Sequence, residues 1–240
     1  SRNTSTTSGN ITYGGAYRGG DYYTEPSNGS GFDNMYQFLY GGVNRTNYVI
    51  ENVKKMLPNA SSASLANLEA IVGEARLLRG MVYFRLISLW GDVPYFSKII
   101  EDDSEVSSIT RMPISQIKDS IMADFTYAFE KLPTKTTKTG RASKPAALAF
   151  RGKLQLYWAC WNKNGWPELD TFTPNSSVAG AAYKAAAADF KAVIENYGLD
   201  LFRGGDPGNW GTMGNAEVLP NYYYMFIPST GNPNAEGEMI

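Results

Sequence analysis

Histidine is absent from the 240-residue chain, and Cys160 is its single cysteine. The absence of histidine excludes Ser-His-Asp and Cys-His nucleophile systems and metal sites built on imidazole. A single cysteine excludes a disulfide within the chain. The sequence therefore excludes many familiar enzyme classes, and it predicts neither a cofactor nor a bound metal.

Strong charge and long apolar runs are also lacking. The 22 basic and 23 acidic residues give a net charge of -1, so no electrostatic field favours nucleic acid or an anionic lipid surface. No stretch approaches the roughly 20 apolar residues that a membrane-spanning helix needs, and the polar, Gly-rich start does not look like a signal peptide. We predict a globular protein, because 43% hydrophobic residues suffice for a core.

Aromatic residues, by contrast, are plentiful: 16 Tyr, 11 Phe and 5 Trp. Many of the tyrosines lie in Gly- and Asn-rich segments, where their rings suit a binding surface because they combine a flat apolar face with a hydroxyl. The alternative is that these rings cover the edges of the core.

Helical periodicity dominates the middle of the chain. Residues 1–31 are rich in Gly, Ser, Thr and Asn and are expected to be irregular. Apolar residues then recur at steps of three and four, and Pro, Gly and capping residues bound each run. These patterns predict a first helix over about 32–57, a second that begins at a cap within NASSAS, residues 59–64, and stops at Gly91, and further helices over about 114–132, 143–161 and 181–197.

The predicted helices come in pairs with short connections, which favours helix hairpins. Stacked hairpins would form an irregular solenoid of the tetratricopeptide type, and the apolar stripes could also form an ordinary bundle. Beyond residue 200 the chain is rich in Gly, Pro, Asn and Tyr and shows no long period.

The stretch GEARLLRGMVYFRLISLWGDVPYF, residues 73–96, resembles the signature of the SusD/RagB family of bacterial outer-membrane nutrient-binding lipoproteins. In that family E-A-R-F-L-R-A precedes an aromatic stretch and then G-D-V-P; here Gly80 replaces the final Ala. Segments similar to other family helices follow in order over about 32–202, including FDNMYQFLYGGVNRTNYVIENV and GRASKPAALAFRGKLQLYWA.

The resemblance implies a mainly α fold, a SusD-like α-α superhelix of tetratricopeptide-like helix hairpins with irregular loops. It implies an irregular lead-in at 1–31, a helical-repeat domain at 32–202, and the start of an irregular C-terminal lobe at 203–240. Known members are about twice as long, and "EGEMI" looks like an element that precedes their second lobe. We therefore expect the chain to be an N-terminal half.

The resemblance also implies a function without chemistry. The protein would capture oligosaccharide or polysaccharide nutrients and deliver them to a SusC-like TonB-dependent transporter. It would be held on the extracellular face of the outer membrane by an N-terminal lipid anchor whose Cys is absent from this sequence. The alternative is a helical-repeat module that binds peptide, as some members do.

Two polar motifs allow both a functional and a structural interpretation. Arg76 and Arg79 share one side of a helix and could clamp a ligand carboxylate, but their apolar neighbours favour a role with Glu74 in tying hairpins and loop carbonyls together. The acidic residues at 101–105 could hold Ca²⁺, but the segment lacks the ligand alternation of a calcium loop and is expected to be solvated.

Ligand contacts are expected in the loops, because sugar rings stack on aromatic faces and sugar hydroxyls need polar partners. The glycine-hinged segment YGGAYRGGDYY, residues 13–23, combines aromatic rings with polar side chains. Three tryptophans in Gly-, Asn- and Pro-rich surroundings are weaker candidates. The candidate ligand-binding residues are Tyr13, Tyr17, Arg18, Asp21, Tyr22, Tyr23, Trp161, Trp166 and Trp210.

Overall fold

The computed structural model describes residues 32–136, 140–165 and 172–199, and these ranges are mainly α-helical. Short 3₁₀ turns at Leu57–Asn59 and Asp103–Glu105 accompany the helices. The predicted mainly α fold is confirmed. The helices are α1 (Phe32–Met56), α2 (Ser62–Trp90), α3 (Ile114–Lys131), α4 (Lys144–Asn164) and α5 (Ser176–Asn196).

The chain divides into two compact units, Ser1–Gly41 and Gly42–Ile240. In the first, the rings of Tyr36 and Tyr40 pair at 4.7 Å between centroids. The predicted division into 1–31, 32–202 and 203–240 involves residues outside the described ranges and stays a prediction. No helix within those ranges has the length and apolar character needed to cross a bilayer.

The ends of α2 follow the local sequence. Ser61 caps its N-terminus, and the Ser61 hydroxyl accepts a hydrogen bond from the Ser64 amide. Gly91 ends the helix with φ 66°, a backbone conformation that favours glycine. Both boundaries agree with the predicted second helix.

Two predicted boundaries need correction. Helix α5 begins at Ser176, five residues before the predicted Ala181, because the Asn175 side chain accepts hydrogen bonds from the Ser177 and Val178 amides. Helix α4 continues three residues past Trp161 and ends at Gly165, whose φ is 68°. The apolar periodicity does not extend over these turns because most of their residues are small or polar.

The helices pack in chain order, with α2 against α3, α3 against α4, and α4 against α5. Buried side chains lie between them, and Ile50 of α1 joins Val72 and Ala75 of α2 in one cluster. Burial of such apolar surface is what stabilises a stack of amphipathic helices. The largest fully buried apolar side chains are Tyr83, Phe125, Leu86, Ile87, Ile114, Ile117, Ile121 and Leu154.

The crossing of α2 and α3 depends on a glycine. A Cβ atom added at Gly80 would lie 2.6 Å from the Phe125 ring, which is completely buried. Glycine therefore allows the large ring to sit directly on the α2 backbone. This explains why Gly80 stands where the resembled signature has alanine.

We predict that Gly80→Ala destabilises the protein by about 1–3 kcal/mol, because the added methyl overpacks the Phe125 ring. Gly41→Ala on α1 is the matched control, since a Cβ there meets nothing within 4 Å; it should stabilise the helix by up to about 1 kcal/mol. Chemical denaturation measures both. Recovery in Gly80→Ala/Phe125→Leu would support the steric cause, and a neutral Gly80→Ala would refute it.

Candidate functional site

Two arginines of α2 converge on one carboxylate of α3. Arg76 Nε donates to Asp124 Oδ1 at 2.7 Å, and Arg79 donates from Nε to Oδ2 and from Nη2 to Oδ1, each at 2.7 Å. Arg79 is 6% exposed and Asp124 is 1% exposed. These three residues form what we call the charge hub, a charge-assisted and partly bidentate arrangement.

The third nitrogen of Arg79 extends the hub towards α1 and a loop. Arg79 Nη1 donates to Asn47 Oδ1 at 2.8 Å and to the Ser97 carbonyl at 3.3 Å. The fully buried Asn47 amide donates in turn to the carbonyls of Phe96 and Lys98. Within the described ranges every buried side-chain nitrogen or oxygen has a partner.

The charge hub is thus structural. Burial alone would lower the pKa of Arg79, but the hydrogen bonds and negative charge of Asp124 outweigh this effect and raise the pKa, so the guanidinium stays charged. The Arg76 guanidinium also stacks over the Tyr127 ring at 4.4 Å. The expectation that these arginines tie hairpins and loop carbonyls together is confirmed.

Side chains hold the segment 96–100 much as a neighbouring strand would. Tyr83 Oη accepts from the Phe96 amide at 2.6 Å and donates to its carbonyl at 3.2 Å. Glu51 accepts from the Ile99 amide, and Asn44 binds both the amide and the carbonyl of Ile100. Consequently the segment is anchored without a β-sheet.

Sequence reasoning missed most of this anchoring set, although a signal was present. Asn44, Asn47 and Glu51 recur at steps of three and four among the apolar residues of α1. Polar residues on an otherwise apolar helical face need buried partners.

The Trp-Gly-Asp-Val-Pro motif forms the junction between α2 and α3. Asp92 Oδ1 accepts from the Ile114 amide at 2.8 Å, and so caps a helix whose own N-cap residue, Pro113, has no side-chain cap bond. Val93 forms an isolated antiparallel bridge with Met112, whose amide donates to the Val93 carbonyl. The motif therefore fixes where α3 begins relative to the end of α2.

Glu74, the first residue of the signature, reaches the loop before α4. Its carboxylate accepts from Arg141 Nε at 2.7 Å, from Arg141 Nη2 and from the Ala142 amide at 3.3 Å. The hydrogen bond from Arg141 lowers the pKa of Glu74, and partial burial opposes this shift. Glu74 thus links α2 to the start of the second hairpin, as expected.

Three rings at the C-terminal end of α4 and the Phe172 ring, from the segment before α5, form what we call the aromatic cluster: Tyr157, Trp158, Trp161 and Phe172. The Phe172 ring lies edge-on to both Trp158 and Trp161, at 5.3 Å between centroids in each case. Tyr157 lies 6.0 Å from Trp161, and its hydroxyl donates to the Ile87 carbonyl of α2. Burial of Tyr157 raises its pKa to about 12.

This cluster brings apolar ring surface close to polar groups. The Trp158 and Trp161 rings are half-buried, and Lys118 Nζ lies 5.0 Å from the Trp158 ring centroid. Such an arrangement can stack on a sugar ring or simply pack the helix end. It contains no pair of carboxylates for acid–base chemistry.

Among the predicted ligand-contact residues, Trp161 alone lies within the described ranges, and it belongs to a helix rather than a loop. Trp158 and Phe172 were missed, although Trp158 lies one turn before Trp161. The other predicted residues lie outside the described ranges and stay predictions: Tyr13, Tyr17, Arg18, Asp21, Tyr22, Tyr23, Trp166 and Trp210.

The acidic side chains that the structure describes within 101–105 are solvated, as expected. Glu101, Asp102 and Glu105 are exposed, and their carboxylates serve local turns: Glu105 accepts from the amides of Glu101 and Asp102, and Asp102 accepts from the Ser104 amide. No group of three or more acidic or sulfur ligands that could hold a metal occurs in the part of the chain that the structure describes.

The fold and its internal polar network define a helical-repeat scaffold. A SusD-like family described as "Starch-binding associating with outer membrane" matches residues 10–156. This match covers more than half of the chain, so the chain belongs to the SusD-like family, in agreement with the resemblance seen in the sequence.

Known relatives extend this match. A SusD-like protein of Bacteroides ovatus is 31% identical over 166 residues, which are 68% of this chain and 27% of the relative. SusD-like protein P2 of Formosa agariphila is 32% identical over 101 residues, 40% of this chain and 20% of the relative. The matched region is therefore about a quarter of the length of these relatives.

Solved structures share the fold. A SusD homolog of Bacteroides thetaiotaomicron matches with a TM-score of 0.61 at 23% identity, over 74% of this chain and 32% of that one. A structure with xylogluco-oligosaccharide matches with a TM-score of 0.55 at 24% identity, over 70% and 30%. A laminarin-binding SusD-like protein matches with a TM-score of 0.53 at 22% identity, over 70% and 32%.

We predict that Asp124→Asn destabilises the protein by about 3–5 kcal/mol, because it leaves two arginines, one of them buried, without their counter-charge. Asp119→Asn on the same helix is the control, since the Asp119 side chain is 72% exposed; it should change the unfolding free energy by less than about 0.5 kcal/mol. Urea denaturation compares them. Equal effects would show that the charge hub is dispensable.

A second prediction concerns acid stability. The pKa of Glu74 is lowered in the folded protein from an ordinary value of 4.5, so its ionised form favours folding above that value and the contribution disappears as pH falls through the lowered pKa. Glu74→Gln should therefore reduce the loss of stability between about pH 5 and 3. Glu195→Gln, at a 57% exposed side chain, should leave the slope unchanged; equal slopes in all three proteins would contradict the assignment.

Proposed function

We propose that this protein captures oligosaccharides or polysaccharides at the outer membrane. Membership of a family described as starch-binding and associated with the outer membrane carries the proposal. The shared fold with a structure containing xylogluco-oligosaccharide and with a laminarin-binding protein supports it. Within this proposal the captured glycan passes to a SusC-like TonB-dependent transporter, and a lipid anchor holds the protein on the extracellular face.

Aromatic residues would supply the affinity. A sugar presents C–H groups on its ring faces, which stack on Tyr and Trp, and hydroxyls that need polar partners. Residues 13–23 offer four tyrosines with Arg18 and Asp21, and Trp161 presents a half-buried ring at the end of α4. We assign primary contact to residues 13–23, with Trp161, Trp166 and Trp210 as secondary contacts.

Capture would proceed without chemistry. Glycoside hydrolysis needs two carboxylates that flank a cleft, one of them free to donate a proton. Among the described acidic residues, Asp124 is held by two arginines and Glu74 by Arg141, while Asp189 is held by Arg151 and Gln155. These carboxylates are committed to structural pairs.

The test is a panel of plant, host and microbial polysaccharides, screened against the intact protein by affinity electrophoresis. We predict that one or more neutral glycans retard the protein, and that Tyr22→Ala/Tyr23→Ala weakens binding by about two- to tenfold per ring, the range for aromatic contacts. Trp161→Ala should have a smaller effect of the same sign.

Tyr48→Ala is the matched control, because Tyr48 is 61% exposed on α1 and outside the proposed contact set; it should bind like the unmodified protein. Retardation that survives all these variants would place the site elsewhere. If no glycan causes retardation while a peptide library binds, the protein is a peptide-binding member of the family.

A further inference from the structure

The connection between α3 and α4 is strongly cationic. Residues 131–144, KLPTKTTKTGRASK, contain five basic residues and no acidic residue. In a chain whose net charge is -1, this is a marked local excess. The ion pairs of the charge hub do not account for this excess, because Arg76 and Arg79 lie on α2 and not in the connection.

A groove of about 280 Å³ lies between this connection and the outer side of α2. This volume lies just below the usual range for ligand sites, which begins at about 300 Å³, so it suits one residue of a polymer rather than a folded surface. One wall is formed by residues of α2 and the other by residues of the connection. The lining includes Asn67, Glu74, Lys135, Thr136 and Arg141.

The acidic side chains at the groove are already neutralised. Glu74 lies in the groove and is paired with Arg141, and Glu69, one turn earlier on α2, is bound by Lys131 Nζ at 2.7 Å. Lys135 is exposed and makes no hydrogen bond or ion pair within the described ranges. An incoming anion would therefore meet an unneutralised cation without facing an unpaired carboxylate.

Arg141 is also oriented towards solvent in a defined way. Glu74 accepts from Nε and Nη2, and this occupies one edge of the planar guanidinium. Nη1 makes no hydrogen bond within the described residues, and the Arg141 side chain is 50% exposed. The ion pair thus fixes the guanidinium while leaving donors for a second acceptor.

We propose that this groove binds an anionic oxygen group of a saccharide, namely a uronate carboxylate or a sulfate ester. Lys135 supplies the charge, the free edge of Arg141 supplies oriented N–H donors, and Asn67, which also lines the groove, offers an amide for a sugar hydroxyl. The proposal rests on glycan capture as the proposed function, and it adds a preference for acidic glycans.

The experiment measures affinity of the intact protein for polygalacturonate, for a sulfated galactan and for neutral laminarin, by calorimetry at 50 and 300 mM salt. We expect Lys135→Gln to weaken binding of an acidic glycan by about two- to fivefold at low salt, as for one exposed charge pair, and to leave laminarin binding unchanged. High salt should reduce this difference.

Lys184→Gln is the control, because Lys184 is an exposed lysine of α5 and its substitution removes the same charge. It should not affect any glycan. A Lys135-dependent affinity for polygalacturonate would indicate a carboxylate ligand, and one for the sulfated galactan would indicate a sulfate ester. Polyglutamate tests for nonspecific attraction of an anionic polymer, so any binding of polyglutamate should be the same with and without the Lys135→Gln substitution.

Three results would overturn the inference: equal losses in Lys135→Gln and Lys184→Gln, an equal loss for laminarin, or the same Lys135 dependence with polyglutamate. Each leaves the proposed function intact as long as a neutral glycan binds. Failure of every glycan to bind would instead refute the proposed function together with this inference.

Discussion

The carboxylate of Asp124 is the point on which the polar structure of this protein depends. It receives both arginines of the family signature, and through Arg79 it is connected to Asn47 and to the backbone of residues 96–98. Two guanidiniums share one carboxylate, so the pairing is favourable only while the surrounding hydrogen bonds remain complete. Three helices and a loop thereby have a common, specific register that apolar packing alone would not impose.

The signature residues make three separate connections within this scaffold. Glu74 fastens the start of the second hairpin, the arginines join α2 to α3, and the Gly-Asp-Val sequence ends one helix and caps the next. The hydrogen bonds described for these residues are all made within the chain. A scaffold held in this way can carry binding residues on its loops, since function lies in sites carried on a fold.

The sequence predicted the helices well because their apolar stripes are long and their stops are chemically distinct. Gly91, for example, ends α2 where a positive φ is required. It predicted the C-terminal end of α4 and the N-terminal end of α5 less well. Helix α5 begins early because Asn175 caps it, and a cap leaves no trace in the apolar periodicity. The partners of Arg76 and Arg79 were foreseen as neighbouring hairpins, whereas the roles of Asn44 and Glu51 depend on a loop whose path no local pattern specifies. The candidate contacts are the least predictable part, because an aromatic ring at a helix end, such as Trp161, packs and binds with the same chemistry.

The most direct test of the scaffold role is amide hydrogen exchange at Phe96, Ile99 and Ile100 in Asn47→Ala, with glycan affinity measured on the same protein. The variant removes the link between Arg79 and the carbonyls of Phe96 and Lys98. We predict faster exchange at these amides through local opening, with little change in affinity. Unchanged exchange together with a large loss of glycan binding would contradict the scaffold role and would place Asn47 in the ligand site.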